Sequence, residues 1–303
     1  MQTLGTPLSP RHRRRGARPA WIAGLCALLA LAFSPLATAA PAQPQAQAQA
    51  QDGVARRWGP TPVASTEGHR VDELFWLITA LISVSFVIVL ILLIVPVLRD
   101  RARPGHKASY DHGSSLHDKR FTAIVSVIVF VVLDAWVLIV TMTDLRQVVW
   151  NVPKTADGPL RVEVLAQQWA WNFRTSGVDG DFGTADDIVT INHLHVPEGR
   201  PVVFNLSSKD VIHSLFLPDM RIKRDANPGA INQVWFEASA GTAGDYDILC
   251  AELCGYAHYQ MHGTLTVVPP EAWDAWEQEA SRIALATWDE QDTEAQWAWD
   301  WRE

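Results

Sequence analysis

The sequence is poor in cysteine and has no excess of basic residues, and each scarcity excludes a class of protein. Only three cysteines occur among 303 residues, too few for a disulfide-stapled secreted scaffold. No C-x-x-C-H segment is present, so the chain shows no attachment site for a c-type haem. Lys and Arg number 25 against 33 Asp and Glu. The charge therefore gives no sign of a nucleic-acid partner, and none is expected.

The negative charge is concentrated at the C-terminus. Residues 271–303 contain ten acidic residues and two arginines, a net charge of −8 that equals the net charge of the whole chain. This acidic tail is also rich in Trp and Ala. Its spacing predicts a helix with Trp273 and Trp276 on one face.

The N-terminus has the pattern of an export signal over residues 1–40. Five arginines precede an apolar stretch, Trp21–Phe33, and the small residues of Ala37–Ala40 follow it. The stretch is short for a membrane span, and Cys26 is expected to be removed with the signal. Residues 41–70 are predicted to form a disordered spacer, because residues 41–57 are rich in Ala, Gln and Pro and of low complexity.

Two long apolar runs predict a transmembrane hairpin over residues 71–145. The first span, 74–98, has no charged residue, and the second, 121–142, is interrupted only by Asp134. Six basic residues outnumber three acidic ones in the connecting loop. By the positive-inside rule this loop is cytoplasmic, which puts both flanking segments on the outer side.

Residues 150–270 have the pattern of a small β-domain. Short β-rich runs alternate with turns rich in Asn, Asp, Gly and Pro, which favours a sandwich or barrel. The predicted runs are Leu160–Arg174, Ile188–Val196, Pro201–Leu206, Ile231–Ala238, Tyr246–Leu249 and Thr264–Val268.

The segment from Cys250 to Met261 contains a candidate metal site. It offers the thiols of Cys250 and Cys254, the imidazole of His258 and the thioether of Met261 within twelve residues. Soft sulfur with imidazole favours copper, and two nearby cysteines can bridge two copper ions. A second imidazole is then required, and His213 is the candidate. A Cys250–Cys254 disulfide or a zinc site would use the same cysteines, although Met is a poor zinc ligand.

The spacing C-x-E-x-C-x3-H-x2-M resembles the CuA motif of cytochrome c oxidase subunit II, and the resemblance covers roughly residues 70–270. It implies an α+β membrane protein: a two-helix transmembrane hairpin plus a periplasmic cupredoxin-like β-sandwich. It further implies that Cys250 and Cys254 bridge two copper ions, that His213 and His258 bind one each, and that Met261 is a weak ligand. The Glu252 carbonyl oxygen would complete the set.

The same resemblance implies partners and a location. Glu252 would use its side chain to share a magnesium or manganese ion with the haem-bearing subunit I. The chain would take electrons from a separate cytochrome c and pass them to subunit I of a proton-pumping oxidase, with subunit III as a further partner. The expected location is the bilayer of the bacterial inner membrane, with the copper domain and C-terminus on the periplasmic side.

The segment Gln168-Trp169-Ala170-Trp171 resembles the family's aromatic W-Y-W segment, with Ala170 in the middle position. The resemblance implies that Trp169 receives the electron at the surface over the copper site. Trp171 is expected to be a core residue, as simple packing would also predict for both tryptophans.

The acidic segment 177–187 has three interpretations. Its carboxylates could dock a basic cytochrome, bind calcium or form a solvated turn. They are Asp179, Asp181, Asp186 and Asp187. Lys209 stands where the family has a docking carboxylate, whereas Asp210 retains the next one.

Other polar positions give weaker indications. Asp118 matches only in part a family glutamate that feeds protons into subunit I. Asp134 near mid-membrane is expected to bond a partner helix, with a proton path as the alternative. His193, His195 and His262 match no ligand position and are predicted to be ordinary strand and turn residues.

Three other functions use related architectures. A quinol oxidase subunit lacks the copper ligands that are present here, and a nitrous oxide reductase needs a large additional catalytic domain. A membrane-anchored copper chaperone needs exposed, exchangeable ligands, which the paired cysteines disfavour.

Overall fold

The computed structural model describes residues 61–105, 107, 113–151, 158–289 and 291. The predicted signal peptide, residues 41–60 of the predicted spacer and most of the tail beyond residue 289 lie outside the described residues. Within them, two long helices precede ten β-strands, and a third helix follows the last strand.

The two long helices are long and apolar enough to cross a membrane. Helix α1 is Gly68–Arg99, and helix α2 is Leu116–Trp150, which includes π-helical stretches at Ile128–Leu133 and Leu145–Trp150. They contain the predicted spans. Most of their large apolar side chains are exposed in the chain alone, as suits surfaces that face lipid or other membrane helices.

The ten strands form two five-stranded sheets packed face to face. The first sheet has the order β3-β2-β1-β5-β8 and the second has the order β4-β10-β9-β6-β7. The strands are β1 Leu160–Gln167, β2 Ala170–Thr175, β3 Ile188–Ile191, β4 His193–Pro197, β5 Pro201–Ser208, β6 His213–Leu217, β7 Ile222–Ala226, β8 Asn232–Glu237, β9 Gly244–Cys250 and β10 His262–Val268. A helical pair followed by a β-sandwich confirms the predicted fold class.

Two predicted runs are each divided into two strands. The run Leu160–Arg174 turns at Gln168-Trp169, so that β1 and β2 pair antiparallel. The run Ile188–Val196 breaks at Asn192, which has a left-handed φ of 56°. The Asn192 side chain accepts a hydrogen bond from the backbone N–H of Trp171, which stabilises the break. At this residue the chain passes from the first sheet to the second.

The core lies between the inner faces of the two sheets. Trp171 is fully buried there, as predicted. Each such large side chain contributes about 1.5–3 kcal/mol through removal from water. Other fully buried apolar side chains there include Val162, Phe173, Phe204, Leu206, Leu215, Leu217, Met220, Ile248, Met261 and Leu265.

The predicted spacer ends earlier than expected. Ala64 and Ser65 are buried, and Ser65 forms an isolated bridge with Ala238 after β8. Helix α1 then begins at Gly68 and bonds to the sandwich through Asp72, whose carboxylate accepts from the Arg221 guanidinium at 2.7 Å. These residues form backbone pairs that composition does not indicate, so the prediction of disorder up to residue 70 was wrong for this part.

Helix α3, Pro270–Thr287, packs on the outer side of β3 and β4. Trp273 is buried, and its ring lies 4.9 Å from that of Trp276. The Trp276 ring in turn stacks on His195 at 4.5 Å. The apolar face of the helix is therefore attached to the sandwich by aromatic contacts.

Candidate metal centre

The sulfur and imidazole side chains come together where three elements meet. His213 is the first residue of β6, Cys250 is the last residue of β9, and Met261 directly precedes β10. Strands β6 and β9 are neighbours, with Leu215 opposite Cys250. The loop between β9 and β10 returns to its start, since the Cys250 N–H donates to the Met261 carbonyl at 3.2 Å.

The two cysteines are free thiols that face each other. Their Sγ atoms are 3.7 Å apart, well beyond the roughly 2.05 Å of a disulfide. Cys254 is buried and Cys250 is half-buried. The structure therefore holds the pair open, without the disulfide of the alternative interpretation.

The remaining donors lie on two sides of this sulfur pair. On one side the His213 Nδ1 lies 3.1 Å from the Met261 Sδ and 4.0 Å from the Cys250 Sγ. On the other side the His258 Nδ1 lies 3.5 Å from the Cys254 Sγ. The Glu252 carbonyl oxygen accepts from the Cys250 thiol at 3.3 Å. All six predicted ligand residues thus contribute an atom to one cluster.

The donor set fits copper. His213, Cys250 and Cys254 have ligand atoms within 4.8 Å of one another and could hold a metal ion. Thiolate, imidazole and thioether are soft or borderline donors, and the Met261 thioether makes the set unlike structural zinc, which uses Cys and His alone. His213 and Met261 are almost completely buried, so this end of the cluster is shielded from water.

Asp210 fixes the orientation of the His213 ring. The His213 Nε2–H donates to the Asp210 Oδ1 at 2.9 Å, which leaves Nδ1 as the lone-pair nitrogen on the sulfur side. Metal-binding histidines commonly use such a carboxylate partner. Burial opposes ionisation of Asp210, but hydrogen bonds from His213 and the backbone outweigh it and lower the pKa of the carboxyl. Sequence reasoning missed this role, although the spacing D-x-x-H was available as a signal.

The thiol pair has two different acidities. Burial opposes ionisation of Cys250, yet contacts with the His213 side chain and with the backbone at Ser214 and Glu252 outweigh it and lower the pKa of the thiol. Burial and the neighbouring Cys250 raise the pKa of Cys254. The first proton therefore leaves the pair easily, whereas a bound cation must displace the second one.

Trp169 lies directly beside the cluster. Its indole Nε1–H donates to the Cys254 carbonyl at 3.2 Å, and the Gln168 side chain donates to the same oxygen at 2.8 Å. Gly255 has a φ of 117°, and a side chain there would approach Gln168 to 2.7 Å and Trp169 to 3.3 Å. A partly exposed tryptophan is thereby held against the backbone of a buried cysteine.

The surface around the cluster is apolar and aromatic. Leu253, Tyr256 and Tyr259 are strongly exposed, and Val211 and Ile212 are exposed beside them. Glu252 is also exposed at this surface. Exposed apolar groups that adjoin one another commonly form contact surfaces for other proteins.

The acidic segment divides into exposed and buried carboxylates. Asp179 and Asp181 are exposed, whereas Asp186 and Asp187 are buried. Docking or solvation is therefore open to Asp179 and Asp181, whereas long-range pairing with Arg174 places Asp187 inside. Among the residues described, the acidic segment gathers no three carboxylates close enough for a metal ion, which disfavours the calcium interpretation.

The two carboxylates singled out in helix α2, Asp118 and Asp134, have different surroundings. Asp118 lies in the first turn of α2, where its backbone N–H donates to the Ser115 side chain, an ordinary helix cap. Asp134 lines a cavity of about 730 Å³ between α1 and α2, together with Ser85 and Thr141.

The family model for the periplasmic domain of cytochrome c oxidase subunit II matches residues 160–268. An alternative cytochrome c oxidase subunit 2 from Bradyrhizobium diazoefficiens is 32% identical over 254 residues, which cover 75% of this chain and 86% of the relative. Cytochrome c oxidase subunit 2 of Cereibacter sphaeroides is 29% identical over 73% of this chain and 78% of that relative.

A crystal structure of the periplasmic domain of cytochrome oxidase subunit II from Bradyrhizobium japonicum was also matched. It is 25% identical and covers 44% of this chain and 99% of that domain, with a TM-score of 0.38.

Proposed function

The chain belongs to the cytochrome c oxidase subunit II family, and we propose that it receives electrons from a cytochrome c at a dinuclear copper centre. From there the electrons would pass to haem in subunit I of a proton-pumping oxidase, which reduces oxygen to water. The observation that supports this most directly is the open Cys250–Cys254 pair with an imidazole on each side.

The donors divide into two sets around the shared thiolates. His213 and Met261, whose donor atoms are 3.1 Å apart, would serve one copper ion. His258 and the Glu252 carbonyl would serve the other. Two copper ions bound in this way would supply a one-electron carrier whose geometry changes little between its oxidation states.

The chain's own residues hold this geometry. Asp210 orients His213, and the β6–β9 pairing sets the distance between His213 and Cys250. The hydrogen bonds from Trp169 and Gln168 hold the Cys254 carbonyl, and therefore the loop that supplies Cys254. A rigid set of donors keeps the reorganisation on electron transfer small.

Electrons would arrive through Trp169. This indole is 38% exposed and bonded to the Cys254 carbonyl, so it reaches the surface while it contacts the ligand loop. The exposed apolar side chains of Leu253, Tyr256 and Tyr259 offer a contact surface beside it.

The surroundings of the centre imply further partners. The two long apolar helices would anchor the chain in the bacterial inner membrane against subunit I, with subunit III as a further neighbour. Glu252 would bind copper through its backbone carbonyl, so its exposed side chain is available for another metal. It would share a magnesium or manganese ion with subunit I. Carboxylate oxygen suits such hard cations.

Copper analysis of purified variants tests the proposal. The wild-type chain, loaded and then desalted, should retain two copper ions per chain, and Cys250→Ser and His258→Asn should each lose the dinuclear centre. His262→Asn is the matched control, because this exposed imidazole directly follows Met261 without joining the cluster. One copper ion per wild-type chain, or an unchanged copper content in Cys250→Ser, would contradict the proposal.

Glu252→Gln tests whether the backbone carbonyl and the side chain of Glu252 bind different metals. The backbone carbonyl remains in this variant, so copper should stay at the wild-type level in the assembled oxidase. The second metal should be lost, since a neutral amide is a weaker ligand for a hard cation. Loss of copper with magnesium and manganese unchanged would overturn this assignment.

A further inference from the structure

The guanidinium of Arg221 connects the β-sandwich to helix α1. Arg221 is the last residue of the turn between β6 and β7, and its side chain makes five hydrogen bonds, as many as an arginine can donate. Nε and Nη2 donate to the two carboxylate oxygens of Asp72 near the start of α1, at 2.7 and 3.1 Å. Nη1 donates to the Thr61 hydroxyl at 3.1 Å and to the Pro218 carbonyl at 2.5 Å, and Nη2 also donates to the Thr61 carbonyl.

The backbone at Arg221 would suit a glycine better than an arginine. Its φ of 58° lies in the left-handed region, where glycine is favoured and a residue with a side chain is strained. A tight turn imposes this conformation, since the Arg221 N–H donates to the Pro218 carbonyl at 3.2 Å. The turn alone would therefore favour glycine, whereas the bonds to Asp72 and Thr61 require the arginine side chain.

The ion pair of Arg221 and Asp72 is largely sheltered from water. The two side chains are 11% and 26% exposed. Exposed ion pairs contribute little to stability because water and salt screen them. A bidentate pair between a guanidinium and a carboxylate is stronger, and it fixes the relative orientation of the two groups as well as their distance. The pair is therefore suited to hold helix α1 at one angle to the sandwich.

The chain between the sandwich and helix α1 is short and closely packed. The Ser65 hydroxyl donates to the Met220 carbonyl of the same turn at 2.8 Å. The helix begins three residues later at Gly68, where a Cβ atom would lie 2.6 Å from the Ser65 Oγ and 3.1 Å from the Arg221 Cγ. The start of the helix thus packs directly on the sandwich, and Arg221 bonds to the chain on both sides of this contact.

The hairpin of β6 and β7 connects this contact to the copper donor set. Leu217 pairs with Ile222 beside the turn, whereas His213 pairs with Ala226 at the other end of the hairpin. Antiparallel strands rise about 3.4 Å per residue, so the four steps from His213 to Leu217 span about 14 Å. A change in the angle between helix α1 and this hairpin would therefore move His213, and the copper donors around it, relative to the membrane.

We propose that Arg221 is a positioning residue for electron transfer to subunit I, an inference that rests on the proposed function. Its bonds to Asp72 and Thr61 hold the copper domain in one orientation on helix α1, and thereby set the distance over which one electron leaves the copper centre and reduces the haem. Reacting groups misplaced by about 1 Å can lose about 100-fold in rate. The bonding partners of Arg221 lie outside the copper donor set, so copper binding and reduction by cytochrome c do not depend on this residue.

Arg221→Gly tests this role in the assembled oxidase. It removes the side chain and suits the left-handed backbone, so the turn should still fold. The variant should keep two copper ions per chain and the wild-type rate of reduction by cytochrome c, whereas time-resolved absorbance should show electron transfer from copper to haem slowed at least about tenfold. Asp72→Asn should slow the same step. The controls Lys223→Ala and Glu73→Gln, at exposed positions next to Arg221 and Asp72 in the fold, should behave like the wild type.

Pulsed electron paramagnetic resonance of the detergent-solubilised full chain gives a second test that does not need subunit I. A nitroxide on a cysteine introduced at exposed Ala80 of α1, attached after copper loading, should show one narrow range of distances to the copper centre. Arg221→Gly should broaden this range, and Lys223→Ala should not.

Three results with copper-loaded Arg221→Gly would each overturn the positioning role alone. They are an unchanged rate of transfer from copper to haem, an unchanged range of distances, and an altered copper resonance, which would make Arg221 part of the copper site itself. A wild-type chain that binds no pair of copper ions would instead contradict the proposed function, and this inference with it.

Discussion

The indole nitrogen of Trp169 donates a hydrogen bond to the carbonyl oxygen of Cys254 at 3.2 Å. One residue later, Gly255 has no side chain to keep the ring away. A partly exposed aromatic ring is thus bonded to the backbone of a proposed bridging cysteine. This contact connects the protein surface to the donor cluster.

Trp169→Phe should slow reduction of the copper centre by cytochrome c by at least about tenfold. Electron tunnelling depends steeply on the group nearest the donor, whereas docking rests on many contacts and should be unchanged. Stopped-flow reduction with a separate binding measurement distinguishes the two steps. Trp276→Phe is the control, and a Trp169→Phe chain that reduces at the wild-type rate would remove this ring from the route.

Asp179 and Asp181 are the carboxylates of the acidic segment that can steer a basic cytochrome. Neutralising both to Asn should slow association at low ionic strength, and the deficit should shrink near physiological salt, where the screening length is about 8 Å. The control neutralises Glu271 and Asp274, two exposed acidic residues of α3. If both double variants show the wild-type salt dependence, the segment is an ordinary solvated turn.

Asp210→Asn should weaken copper binding about 10–100-fold, as loss of a partner that orients a metal-binding histidine commonly does. The amide no longer requires the Nε2–H tautomer of His213, so Nδ1 is not held as the lone-pair nitrogen. Competition with a chelator measures the affinity. Asp247→Asn, an exposed position on the same strand as Cys250, should retain wild-type affinity, and equal affinities for both variants would contradict the orienting role.

Burial raises the pKa of Asp187 from 3.8 to about 6. Because the folded-state pKa exceeds the unfolded one, this carboxyl favours folding below pH about 4, and the advantage is lost as pH rises through about 6. The loss amounts to about 3 kcal/mol over that window. Asp187→Asn should therefore flatten the pH dependence of the free energy of unfolding, measured by denaturant titration, whereas exposed Asp181→Asn should not. Parallel wild-type and Asp187→Asn profiles would contradict this account.

The sequence predicted the features that depend on residues close together along the chain. The spans 74–98 and 121–142 follow from apolar runs that only a membrane helix accommodates. The donors from Cys250 to Met261 lie on one loop, so their spacing alone places them close together. The need for a second imidazole then indicated His213, which lies 37 residues before Cys250.

Pairing between distant strands determined the features that the sequence did not predict. Strand β7 was missed because it buries only its first and last residues, Ile222 and Ala226, and so lacks alternation. The burial of Asp187 depends on Arg174 of another strand. The role of Asp210 is local by contrast, since a turn brings its carboxylate back to His213 three residues later.

The most direct test of the dinuclear centre is electron paramagnetic resonance of the copper-loaded, oxidised chain. The open Cys250–Cys254 pair, with His213 and Met261 on one side and His258 on the other, predicts a hyperfine pattern from one unpaired electron shared equally by two copper nuclei. A pattern from an electron on a single copper nucleus, or a copper-loaded chain with Cys250 and Cys254 joined as a disulfide, would contradict the account.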